Sequence, residues 1–375
     1  MIAQVIKIAF LVICYVTFSA VAGVSAACGG VSDDTPQSKI GGVESPEDAS
    51  SEVEKIKLSL RNYSRSEDQT YLTLPEWYIV YSADEYATFL DKNLPSGFPY
   101  FRSIGQFWGN YGNVYSIVRK RYPFNYGYHL SNVVIGTSFS VETAIKGIYE
   151  NIFGRTTEWL SFGSLTEEDA YARTVAKEYA DFIHTIPWYE FPFEKKLVEL
   201  WTGPSLWELN LIRKLERKIS LSLEYSVKSI YRWLIKTGTW LTYAPEDLEI
   251  QAWVKNISDD IVKQESRIRI VRQINTQASI VAIPRYEAFT GIVTKLAREG
   301  VQFIDIAGNS EILVTAITSR NWEYNLKDGE FLFAMEILTQ PDLKRVAVKA
   351  PVKSLHRILP SLESDGVKVE HIYDY

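Results

Sequence analysis

With 375 residues, 46% of them apolar and 23% charged, the chain has the make-up of a folded protein of about two domains and not of a disordered one. Its formal charge of −6 argues against a nucleic-acid partner, since a dedicated binder presents a net basic surface. The body holds no cysteine, which excludes disulfides and thiolate metal sites there: the two present, Cys14 and Cys28, lie in or beside an N-terminal apolar stretch.

Lys7 is the only charge before Asp33, and Ile8 to Ala27 runs uncharged from bulky to small residues. About twenty such residues just span a bilayer as a helix. The closing Val24-Ser25-Ala26-Ala27 also resembles the cleavage region of a signal peptide, and Cys28 directly after it resembles the lipidated cysteine of a bacterial lipoprotein signal. Anchor, signal peptide and lipidation signal (residues 1–28) all place the body beyond a membrane, on its extracytoplasmic side, because the lysine precedes the segment and acidic residues follow it. Residues 29–68 hold Gly29-Gly30, Asp33-Asp34, Gly41-Gly42 and Ser45-Pro46-Glu47-Asp48, the composition of a flexible acidic tether, with room for a short helix over Glu52–Leu60.

From Thr73 the pattern becomes helical, and residues 69–275 read as an aromatic-rich helical domain. Thr73-Leu74-Pro75-Glu76 and Ser82-Ala83-Asp84-Glu85 carry helix-start signatures, as does Thr166-Glu167-Glu168-Asp169. Further helices are expected over 100–121, 131–153, 193–201, 207–237 and, kinked near Asn256, 245–275. Aromatic residues make up 13% of the chain and crowd between Tyr71 and Tyr128. They line either a cavity or membrane-facing surface for a lipophilic ligand, or a helix interface with its hydroxyls at the rim. The stretch 133–153 is apolar enough to raise the question of a second span. Glu142, Lys146 and Glu150 argue for a buried helix instead, each costing about 2.5–3.5 kcal/mol at a bilayer centre.

The helix over 207–237 carries Ile212, Leu215, Ile219, Val227, Ile230 and Leu234 as one apolar stripe. Arg213, Lys214, Arg217, Lys218, Lys228, Arg232 and Lys236 surround it, with Trp233 among them, a pattern that suits contact with anionic lipid head groups or an ordinary packed helix.

After Asn275 the chain turns to strands. Ile280-Val281-Ala282-Ile283-Pro284 and Val346-Ala347-Val348-Lys349-Ala350-Pro351 each precede a helix, an acidic-Gly pair (Glu299-Gly300, Asp365-Gly366) and a strand opening on Val. Pro tolerates a helix start and Gly a left-handed cap, so residues 276–375 read as a ferredoxin-like, split βαβ domain and the chain as α+β.

Motifs for chemistry are sparse. No phosphate-binding glycine loop, dinucleotide fingerprint or zinc-protease helix occurs, and Gly136-Thr137-Ser138-Phe139-Ser140 lacks the closing glycine of a nucleophile elbow. Asp181 and His184 share a helix face with Glu178 one turn earlier, and the Pro- and aromatic-rich connector that follows brings Glu190. Together with His129 these five are the candidate ligand-binding groups of a cleft; neither a metal site nor a cofactor is expected. The function to expect is a non-enzymatic envelope protein that binds a lipophilic ligand, a lipid surface or a partner protein. The alternatives are an exported metal-dependent hydrolase or oxidoreductase at Asp181/His184, and a structural subunit of a membrane complex.

Overall fold

The computed structural model describes residues 48–60, 63–205, 209–239, 248–325 and 327–374. The N-terminal apolar segment, Cys28 and residues 29–47 lie outside them. The second half of the expected tether is folded. Helix α1 (Asp48–Ser59) sets Lys57 against Asp305 and over the Trp253 ring, while Val53, Tyr63 and Asp68 are buried.

Helices follow in series: α2 (Gln69–Leu72), α3 (Leu74–Leu90), α4 (Tyr100–Arg121), α5 (Tyr126–Tyr149), α6 (Arg155–Leu160), α7 (Glu167–Ile183), α8 (Phe193–Thr202) and α9 (Leu211–Thr239). A π turn over Glu150–Gly154 joins α5 to α6. Thr166 and Asp169 close the capping box expected at α7. α4 and α5 approach closely because α5 offers glycines: a Cβ on Gly136 would stand 2.2 Å from the Phe107 ring. Much of the aromatic run packs into these interfaces, several of its hydroxyls bonded. Tyr78 donates to the Ser103 carbonyl (3.1 Å) and Tyr100 to the Pro95 carbonyl (3.0 Å), while Tyr81 meets Thr315 and Tyr373 at 2.8 Å each.

The helix expected over 245–275 is instead β1 (Glu249–Lys255), the short α10 (Asp259–Gln264) and β2 (Arg269–Asn275). Ile250, Ala252 and Val254 alternate with Gln251 and Trp253, a period of two that sends the first three into the core. β3 (Ala278–Pro284), α11 (Glu287–Arg298) and β4 (Gln302–Ile306) complete a first sheet in the order β2-β3-β1-β4. β5 (Glu311–Ser319), β6 (Glu330–Glu336), β7 (Leu343–Pro351), α12 (Leu355–Ser364) and β8 (Lys368–Ile372) repeat the plan as β6-β7-β5-β8. All pairings are antiparallel.

The two Pro-helix-Gly units therefore fall in two sheets, not in one ferredoxin-like sheet. Each is a split βαβ: β3 and β4 flank β1, and β7 and β8 flank β5. Gly300 and Gly366 close their helices at φ +77° and +73° as the repeat requires. Both sheets and both helices share one apolar core. The second sheet is covered on both faces, which explains its unbroken apolar run. Ile312, Val314 and Ala316 enter that core, while Leu313, Met335, Ala347 and Tyr373 pack on Tyr71, Leu74, Trp77 and Tyr81 of the helical part.

Candidate functional site

The five groups expected to line a cleft do not converge. His129 is buried at the start of α5, its Nδ1 3.0 Å from the Tyr111 hydroxyl and its ring stacked on Phe124 at 4.4 Å. Burial holds its pKa below the ordinary value. Glu178 pairs with Lys196, Asp181 is exposed, and Glu190 sits half-buried in a single turn between α7 and α8.

His184, which ends α7, finds its carboxylate on another helix. Its Nε2 lies 3.0 and 2.9 Å from the two oxygens of Asp84 on α3, and its Nδ1 3.9 Å from Glu287 at the start of α11. The hydrogen bond to Asp84 raises its pKa against the pull of burial. Trp77 lies 6.3 Å away and stacks with His371 of β8 at 3.5 Å. His371 is fully buried, its Nδ1 3.2 Å from Thr290, and burial, with His184 nearby, drives its pKa well down. Periodicity along one helix gave no sign of Asp84, Glu287 or His371, because their meeting is tertiary. Among the described residues no group of three or more His, Cys, Asp or Glu side chains is placed to hold a metal ion.

The larger surprise is α9. Arg213, Lys214, Arg217 and Lys218 are at most 2% exposed. Arg213 meets Asp169 at 2.8 Å, Glu216 at 3.0 Å and Glu158 at 3.3 Å, and Arg217 meets Glu150 at 2.8 Å. Lys214 donates to the Ser205 carbonyl at 2.6 Å, and Lys218 to that of Pro204 at 2.8 Å. These four cations thus face the protein interior. Lys228 bridges Glu142 (3.1 Å) and Glu224 (3.2 Å), and Arg232 binds Glu194 and the Tyr189 carbonyl. Burial opposes ionisation of Glu224, yet Lys146 and Lys228 hold its pKa at about 2. The side chain of Lys236 lies outside the described residues.

What α9 turns outward is much of its apolar stripe, Val227 being half-buried. Ile212, Leu215, Ile219, Leu223 and Ile230 are exposed, and Trp233 is 64% exposed. The neighbouring α5, the π turn after it and α6 do the same with Ile145, Ile148, Ile152, Phe153, Trp159 and Leu160. The contacts Glu142–Lys228, Lys146–Glu224, Glu150–Arg217 and Thr157–Arg213 run antiparallel between α5–α6 and α9, and the apolar rows of both stay exposed. At one end of this pairing, the turn after α6 lifts Phe162 (95% exposed, φ +53°), and the residues before α9 lift Leu209 beside Asn210 at φ +68°. A bulky residue at positive φ is an outlier that the surroundings must enforce.

The chain matches no protein-family model, no curated protein and no solved structure. Among the described residues no helix is long and apolar enough to cross a membrane.

Proposed function

We propose that this is a membrane-tethered envelope protein of non-enzymatic character that rests the α5–α6–α9 face on lipid, its body on the extracytoplasmic side. The observation that carries the reading is the inversion of α9, with paired charges inside and isoleucine, leucine and tryptophan outside. Large apolar side chains exposed in rows along a helix mark an interaction site. Lipid fits it because the N-terminal apolar segment would hold the body at a bilayer and because Trp159, Trp201 and Trp233, all exposed, are side chains suited to the interfacial belt. With no spanning helix among the described residues, α9 would lie in the plane of the interface. The alternative, a hydrolase or oxidoreductase in the Asp181/His184 region, would work through His184 as bonded to Asp84.

A photoreactive benzophenone side chain at position 219, in the full chain reconstituted into vesicles, tests this. The expected result is cross-linking to phospholipid, with none from position 177 on the exposed polar side of α7. Adducts to protein alone at position 219 would point instead to a subunit of a membrane complex and would sink the lipid reading.

A further inference from the structure

A groove of about 500 Å³ opens beside the Phe162 turn, between the 92–97 segment and α7. Lys92, Ser96, Gly163, Leu165 and Arg173 are among its lining residues. Three cations gather around it: Lys92 and Arg173 on its wall, and Arg155, whose guanidinium donates to the Ser96 carbonyl at 3.3 Å. Arg173 donates to the Asn93 carbonyl at 3.4 Å. Among the described residues none of the three has a carboxylate within 4 Å, whereas Arg213, Lys214, Arg217 and Lys218 of α9 each have one. A carbonyl satisfies an N–H but leaves the positive charge uncompensated. Of the carboxylates nearby, Glu158 accepts from the Ser96 backbone N–H at 3.3 Å and is matched by Arg213, as is Asp169.

The other rim of the groove is apolar. Leu165 and Phe162 stand exposed beside it, the latter held out by a left-handed backbone that Gly163 continues at φ +68°. Uncompensated cations next to a raised aromatic side chain match one amphipathic chemistry, a phosphate ester joined to acyl chains.

We infer that the groove binds the head group of an anionic phospholipid, with Lys92 and Arg173 on the phosphate and Phe162 and Leu165 against the first acyl carbons. This rests on the membrane-docking reading above and adds to it the lipid class and the end of the helix pair that enters first. A guanidinium and an ammonium suit a phosphate well, and basic side chains at a membrane favour anionic over zwitterionic lipid.

The test is native mass spectrometry of the full chain in detergent with equimolar phosphatidylglycerol and phosphatidylcholine. The expected result is one retained phosphatidylglycerol, favoured on the order of tenfold. The K92Q/R173Q variant, altered at two side chains outside the core, loses that preference while keeping the unaltered chain's thermal melt. A preference that survives in the variant, or its absence in the unaltered chain, overturns the inference. So does displacement by equimolar inorganic phosphate, which would make the groove a free-phosphate site. The cross-link at position 219 separates the two claims. If it still marks lipid while the head-group preference is missing, the groove assignment alone fails; if it does not, the docking reading fails with it.

Discussion

Removing one arm of the Arg217–Glu150 pair leaves the other charge buried, which costs far more than the pair contributes. Arg217→Met should therefore lower stability by about 3–5 kcal/mol, and adding Glu150→Leu should recover most of it. Urea unfolding of the single and double variants measures this, and an unchanged midpoint in the single variant would refute the burial. The two histidines at the α3–α11 seam respond to pH in opposite senses. His184 has a folded pKa raised above the ordinary 6.5 by Asp84, so its contribution is complete below 6.5 and fades as pH rises through the folded value. His371 has a folded pKa well below 6.5, so the unfolded chain takes up the proton first and stability falls as pH drops below 6.5. Stability measured against pH should lose its alkaline-side decline in His184→Gln and its acid-side decline in His371→Gln.

At the scale of elements, the stripe on α9 was legible from its spacing, but its direction was not. Periodicity reports that two faces differ; it is silent on which one is inside. The deciding groups are Glu150, Glu158 and Asp169, on three other elements, and their demand for cations turns Arg213 and Arg217 inward. Isoleucine 219 being exposed, Ile219→Lys should leave folding within about 0.5 kcal/mol and reduce lipid contact, read as loss of cross-linking from a benzophenone at position 215. Glycines on α4 and α5 divide in the same way. Gly136→Ala would drive a methyl into Phe107 and should destabilise by about 1–3 kcal/mol. Gly109→Ala, with nothing within 4 Å, should stabilise by about 0.5–1 kcal/mol in thermal melts. A loss there would reveal a closely packed partner on that face.

For the whole molecule, the α+β class and the repeated Pro-helix-Gly unit were readable because local chemistry fixes caps and strand ends. The number of sheets was not readable, since one sheet or two depends on which strands pair. Nor were β1 and β2: the alternation of Ile250, Ala252 and Val254 is short and the apolar Trp253 blurs it, so it stands out only once β3 and β4 lie on either side. The His184 site stayed hidden for the same reason, its partners coming from α3, α11 and β8. The seam that joins the helical part to the second sheet centres on Tyr373, fully buried and bonded to Tyr81. Tyr373→Ala should cost about 3–5 kcal/mol, and urea unfolding monitored by near-UV circular dichroism would show it.

That same bond joins residues 292 positions apart. A ribosome makes Tyr81 first, and its partner is added only after nearly three hundred further residues. Tyr81 also bonds Thr315 of β5, 234 positions on, so until that strand is made Tyr71, Leu74, Trp77 and Tyr81 have no sheet to cover them. The seam therefore closes late in synthesis, and Tyr373, just past β8, acts as a latch that sets when folding completes.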